Sequence, residues 1–354
     1  MRPESLQFLR SLIETPSPSG FEQPVQRLVR EYAAPFADEV KTDVHGNVMA
    51  IKNPGGYPRV MLAGHCDQIG MMIQHITEDG YLYFAAIGGI DPAIMPGIPV
   101  HIHNENGCIR GVIGRKPIHL LSAADREKPR LDISEMFIDI GAADGEEARK
   151  LVEIGDAATF DLQFEELRNG LVAGPGFDDK VGSFVVMEAL RLIGKKKLDC
   201  AVYAVSTVQE EIGLRGARTA AYGIDPQAAI AVDVTHASDY PGCDCKKTGE
   251  CKLKSGPTIA RGPNINPILQ KIMQKAADGK KLAWQPEPEP RATGTDANSI
   301  QISRAGVATG LLSIPNRYMH TPVEVIALED LETAAKLLAE TLLSIKKDTD
   351  FTPM

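Results

Sequence analysis

Five short stretches of this chain carry side chains able to bind a cation or move a proton. They are His65 and Asp67 in "AGHCDQIG", Asp178 and Asp179 in "GPGFDDKVG", Glu210 and Glu211 in "VQEEIG", Asp233 in "AVDVTH", and His320 in "NRYMHTPVEV". Two histidines among several carboxylates suit zinc, cobalt or manganese, whereas an all-oxygen set would suit calcium or magnesium. Each residue alone has an ordinary use. Asp178 or Asp179 can cap a helix beginning near Lys180, Asp233 fits a turn, the glutamate doublet fits a solvated loop, and a lone histidine usually hydrogen-bonds at a surface. Their repeated occurrence at strand ends and a helix start is what points to one site, because open α/β sheets build sites beyond the carboxyl ends of their strands.

The elements that must position them follow from hydrophobic pattern. "RVMLAGHCD", "CAVYAVSTVQ", "AAIAVDVTH" and "VATGLLSIP" read as buried strands. Lys180–Ile193 and Glu329–Ile345 carry helical stripes, and two amphipathic helices joined by "TPSPSG" open the chain. Ser19 and Glu22 have capping-box spacing for the second of these. Between residues 69 and 164 the texture changes to short apolar runs broken by glycine and proline, the punctuation of a small β-barrel or sandwich. The expected organisation is an α/β unit, a mixed sheet flanked by helices (1–68 and 165–354), interrupted by a β-rich insertion (69–164).

Size and composition agree. With 354 residues the chain exceeds what one core comfortably serves, and 43% apolar content with no long apolar run describes a globular protein without a membrane span. The net charge of −9, with "GKKK" at 194–197 as the one basic tract, argues against nucleic acid as a partner. Leu6, Leu9 and Ile13 have helical spacing instead of a signal peptide's continuous apolar segment, so a cytoplasmic location is expected. Six cysteines are too few for a disulfide framework at this length, and the "CDCKKTGEC" cluster lacks a fourth ligand and a matching partner pair, so it reads as reduced thiols.

The order His-x-Asp, Gly-Pro-Gly-x-Asp-Asp, Glu-Glu, Asp and His resembles metallopeptidase family 42, the tetrahedral cytosolic aminopeptidases that include glutamyl and leucyl enzymes and some members labelled endoglucanases. The motifs run from residue 64 to residue 324, and the resemblance covers essentially the whole chain. It implies a dinuclear zinc-peptidase-like fold and two divalent ions per subunit, zinc or cobalt, with manganese as a further option. It makes Asp179 the carboxylate bridging the two, with His65 and Asp233 completing one ion and Glu211 and His320 the other. Glu210 falls on the family's general base, and Asp67 on the carboxylate that orients His65. The insertion corresponds to a dimerisation domain within a twelve-subunit homo-oligomer. Gln68 and Cys66 depart from the family, where glutamate and an aliphatic residue are common.

The expected activity is removal of the N-terminal residue from peptide substrates by a water activated between two metals, with Glu210 as proton acceptor. The loops 291–299 and 313–318 are candidates for the specificity pocket. A metal-dependent deacylase or dipeptidase on the same architecture is the nearer alternative. A metal-free endoglucanase would need carboxylates about 5–9.5 Å apart, and a non-catalytic shell protein would have no need of the full residue set.

Overall fold

The computed structural model describes residues 1–105, 107–122 and 131–353. Its strands are β1 (Glu39–Thr42), β2 (Val48–Lys52), β3 (Arg59–His65), β4 (Gly70–Ile76), β5 (Leu82–Ile87), β6 (Pro99–Asn104), β7 (Gly107–Arg115), β8 (Met136–Asp139) and β9 (Ala157–Phe160), followed by β10 (Glu165–Glu166), β11 (Leu171–Gly174), β12 (Ala201–Thr207), β13 (Ala228–His236), β14 (Thr258–Arg261), β15 (Gln285–Pro288), β16 (Ala308–Asn316) and β17 (Glu324–Ala327). Eight of them form a mixed sheet in the order β1-β2-β12-β3-β13-β16-β14-β15. Its centre, β12-β3-β13-β16, is parallel, and these strands are almost wholly buried, as the continuous apolar runs require. β10, β11 and β17 make a small antiparallel sheet.

Helices cover both faces. On one lie α1 (Pro3–Glu14), α2 (Gln23–Ala33), a long helix Phe177–Ile193 and the last helix Leu328–Ser344, packed with the sheet into the largest apolar cluster. The helix Phe177–Ile193 is apolar nearly all round, so it is buried on every side. It lies so close to β3 that a Cβ on Gly64 would stand 2.3 Å from the Gly182 carbonyl carbon. Glycine at 64 lets backbone meet backbone, which brings the helix start to the end of β3, and glycine at 182 leaves room for the Asp179 carboxylate. The opposite face is covered by the helices Arg215–Ile224 and Asp296–Gln301.

Strands β4 to β9 close into a six-stranded barrel, β4-β5-β8-β7-β6-β9, with an apolar core of its own that includes Met71, Leu82, Ile102 and Ile138. β9 pairs with β4, so the chain enters and leaves the barrel on neighbouring strands. The mixed sheet flanked by helices and the small closed barrel are the fold class read from the sequence. Among the described residues no helix is long and apolar enough to cross a membrane.

Candidate metal centre

Parallel strands deliver their carboxyl ends to one edge, and the site stands there. His65 ends β3 in register with Thr207 of β12, three residues before the Glu210–Glu211 doublet. Asp233 lies two residues beyond the Ala231–Ala63 pairing, level with His65 on the neighbouring strand. His320 follows β16 in a loop where it takes a positive φ of 60°.

These donors form two groups that share one carboxylate. Donor atoms of His65, Asp178 and Asp233 all lie within 4.8 Å of one another, and so do those of Asp178, Glu211 and His320. His65 Nε2 is 3.3 Å from Asp178 Oδ1, and His320 Nε2 is 3.2 Å from Asp178 Oδ2. Glu211 Oε2 stands 3.7 Å from His320 Nε2. Glu210 Oε2 is 3.8 Å from His65 Nε2 but belongs to neither group.

The residue between the two histidines is therefore Asp178, not Asp179, which corrects the expectation for the bridging position. Asp179 turns the other way. Its Oδ1 accepts from the Gly182 amide at 3.0 Å and its Oδ2 from the His65 amide at 3.1 Å. It caps the helix and ties it to β3, with both residues of the doublet outside helical φ/ψ.

A buried support surrounds the donors. Asp67, fully buried, lies 3.4 Å from His65 Nδ1, whose other contact is the Asp67 carbonyl at 3.0 Å. The same carboxylate accepts from the Glu210 amide at 3.0 Å and the Glu211 amide at 3.2 Å. Ser19 Oγ donates to it at 2.6 Å, and Glu22 Oε1 accepts from the Gln209 amide at 3.2 Å. The capping box expected from Ser19 and Glu22 does not form: the helix starts at Gln23 without a side-chain cap, because both residues are drawn to the site loop. His320 is oriented by the Gly89 carbonyl of the barrel, 2.9 Å from Nδ1, which leaves Nε2 facing Asp178. Buried Glu324 accepts from the His320 amide (3.2 Å) and the Asp178 amide (2.9 Å), tying together two donors of the second group.

The electrostatics fit a cation. Burial, with neighbouring carboxylates, pushes Glu210 up to about 10 and Glu211 to about 8, and raises Asp233 well above its ordinary value. Asp178 is instead held low: burial opposes its charge, but hydrogen bonds from His320 and His65 outweigh it. His320 rises to about 9, chiefly through its hydrogen bond to Asp178. Without added positive charge the cluster must borrow protons to coexist, and Glu211 Oε1 is buried with no hydrogen-bond partner. Divalent ions at the two donor groups would resolve both. No cysteine enters either group, and among the described residues these two are the candidate metal groups.

The donors line one side of a cavity of about 400 Å³. The sequence profile of M42 glutamyl aminopeptidases matches residues 46–337. The chain belongs to the M42 aminopeptidase family. Among its relatives, the lysyl aminopeptidase of Pyrococcus furiosus is 41% identical over 349 residues, 98% of this chain and 99% of the relative. The TET aminopeptidase of a marine sediment archaeon of the Thaumarchaeota superposes with a TM-score of 0.93 at 34% identity, covering 97% of both chains. The TET1 peptidase of Pyrococcus horikoshii, described as assembling into a tetrahedron or a large octahedral shell, gives 0.85 at 32%, covering 96% of this chain and 100% of that one. Like these M42 relatives, the protein is a peptide-bond hydrolase of the aminopeptidase class.

Within this M42 site, the departures at residues 66 and 68 have local explanations. Cys66 is buried in the main core, outside both donor groups, and burial pushes its thiol well up. Gln68 accepts from the buried Lys180 Nζ, whose second partner is the Thr15 carbonyl at 2.7 Å. Both contacts are neutral acceptors, and burial lowers Lys180 to about 7. Of the specificity loops expected, Thr293, Gly294, Thr295 and Ser313 do line the cavity, although 313–316 belongs to β16. The site contacts of Ser19 and Glu22 escaped the sequence reading, as did Glu324 and the cavity residues Glu287 and Glu289. The signal available for the last two was the alternation in "QPEPEP".

Proposed function

We propose that this chain is a dinuclear metallo-aminopeptidase in which His65, Asp178 and Asp233 hold one divalent ion and Asp178, Glu211 and His320 hold the other. The observation that carries this reading is the single buried carboxylate shared by two histidine-containing groups. Zinc, cobalt or manganese suits the mixed imidazole–carboxylate set. When bound, such a pair supplies Lewis-acid polarisation of the scissile carbonyl and a lowered pKa for the attacking water.

The protein's own residues do the rest. Asp67 and the Gly89 carbonyl fix the rings of His65 and His320, so that each presents Nε2. Glu210, outside both groups, takes the proton of the attacking water at its carboxylate and returns it to the departing amine. Asp67, through the amides of Glu210 and Glu211, keeps the base and the neighbouring donor at fixed positions. The inserted barrel, 69–164, joins the catalytic unit (1–68 and 165–354) as a dimerisation domain, and the subunits assemble into a closed shell of twelve. All six cysteines are unpaired, which fits a reducing cytoplasm.

The deciding experiment measures hydrolysis of aminoacyl-p-nitroanilides before and after chelation. EDTA should abolish turnover, and zinc, cobalt or manganese should restore it. Glu210→Gln should retain metal and lose about 10²–10⁴-fold in kcat. Turnover that survives complete metal removal would overturn the reading, and equal turnover of N-acetylated substrates would move it to a deacylase.

A further inference from the structure

We infer that Asp296 is a positioning residue for the proposed hydrolysis: through Thr207 it fixes the strand end that carries Glu210 against the loop 293–295 that lines the cavity. This rests on the aminopeptidase reading above and deepens it.

Thr293, Gly294 and Thr295 line the cavity, whereas Asp296, the next residue, turns inward and is 1% exposed. It opens the short helix Asp296–Gln301, which is locked by its apolar side. Ile300 packs with Met61 and Ala63 of β3, and Ala297 with Ala231 of β13 and Leu311 of β16. An aspartate at a helix start ordinarily serves as a cap, but this helix has no side-chain cap. The Asp296 carboxylate is used elsewhere.

Asp296 Oδ2 accepts from Thr207 Oγ1 at 2.6 Å. Thr207 is fully buried and ends β12 in register with His65, and its carbonyl accepts from the Cys66 amide at 2.9 Å. The other oxygen, Asp296 Oδ1, is buried and has no hydrogen-bond partner among the described residues. A buried carboxylate served by one hydroxyl is costly and survives where its surroundings compensate. Burial raises Asp296 to about 6, and the His65 charge and the Thr207 hydroxyl draw it back. Compensation therefore comes from the donor side of the site, although Asp296 belongs to neither donor group and does not line the cavity.

The bond joins two parts whose separation matters. Beyond Thr207, the amides of Val208, Gln209, Glu210 and Glu211 are accepted by the side chains of Asn47, Glu22 and Asp67. Those contacts fix the Glu210 segment to the early part of the chain, not to the cavity loop. Thr207 and Asp296 supply the tie to that loop. A substrate seated against 293–295 and a base carried just after Thr207 then keep one separation. An error of about 1 Å in such a separation costs on the order of 10²-fold in rate.

The test uses the metal-loaded enzyme and the aminoacyl-p-nitroanilide it turns over fastest. Thr207→Val deletes the hydroxyl at nearly constant shape, and Thr207→Ser keeps it. Thr207→Val should lower kcat by about tenfold or more with KM and metal content unchanged, while Thr207→Ser should stay within about threefold of the unmodified enzyme. Asp296→Ala should fall as far, and the double variant no further than either single one. Should Asp296→Ala fail to fold, the two threonine variants decide alone. In the Glu210→Gln background, Thr207→Val should cost little more, because groups that act as a unit are not additive. A purely structural bond would lower the melting temperature and leave kcat, measured well below melting, untouched. Normal kcat in Thr207→Val, a rise in KM alone, metal lost together with turnover, or a full further loss in the Glu210→Gln background overturns this inference and leaves the aminopeptidase reading standing. Normal turnover by Glu210→Gln itself removes the base assignment and this inference with it.

Discussion

Asp178 and Asp179 are chemically identical neighbours with different work. Asp178 presents one oxygen to each histidine, while Asp179 uses both of its oxygens on the amides of Gly182 and His65. The doublet was visible in the sequence, and so was its candidacy both as ligand and as helix cap. Which aspartate did which was not, because that depends on backbone torsions at a helix start where both depart from helical values. The two roles predict separable failures. Asp178→Asn should keep the fold and lose metal from both positions, measured by elemental analysis beside circular dichroism. Asp179→Ala leaves two buried amides unpaired at about 1–3 kcal/mol each, which denaturant titration would register as lost stability. A stable Asp179→Ala protein lacking metal, beside a metal-replete Asp178→Asn, would restore the assignment read from the sequence.

At the scale of elements, the segment between α1 and α2 acts as a brace for the strand-end loop after β12. Three consecutive amides, 209 to 211, are accepted by two buried carboxylates, Glu22 and Asp67, and Ser19 steadies the second. Strands β3, β12, β13 and β16 were legible as unbroken apolar runs, and the helix after Asp179 as a stripe. The brace was not, since a capping-box spacing is local while these contacts span more than forty residues in sequence. Burial raises Glu22 from 4.5 to about 7. The folded state therefore holds this proton more tightly than the unfolded chain does, and its contribution is full below about pH 4.5 and is lost as pH rises through 7. The shift corresponds to at most about 3 kcal/mol. Glu22→Gln keeps an acceptor oxygen for the Gln209 amide and never ionises. Its melting temperature should fall less than that of the unmodified protein between pH 5 and 8, whereas Glu22→Ala should melt earlier throughout and turn over more slowly. Parallel melting curves for Glu22→Gln and the unmodified protein would remove this account of the brace.

Over the whole molecule, two hydrophobic cores meet at one site. The barrel was legible as a change of texture near residue 69, but its closure was not, because pairing of β9 with β4 joins strands eighty residues apart. Nor was its reach into the catalytic unit: the Gly89 carbonyl orients His320, and a Cβ on Gly88 would lie 3.2 Å from Glu211 Oε2. The barrel thus reaches the site through this loop, and in the proposed assembly its outer surface would make the subunit contact. On that surface Ile118, Leu120 and Ile154 are each more than 60% exposed, apolar area that a second copy of the chain would cover. In the proposed assembly, Leu120→Glu with Ile154→Glu places charge in that contact and leaves the Gly88–Gly89 loop unaltered. Light scattering should then report a smaller particle than the unmodified shell. Metal content should be unchanged and turnover of a single aminoacyl-p-nitroanilide per subunit should stay within about threefold, since a surface substitution away from buried contacts shifts local free energy by about 0.5 kcal/mol. An unmodified protein that is already monomeric, or a double variant of undiminished size, would show that these residues do not hold subunits together. Loss of turnover in step with loss of size would show that the barrel's reach into the site depends on the subunit contact.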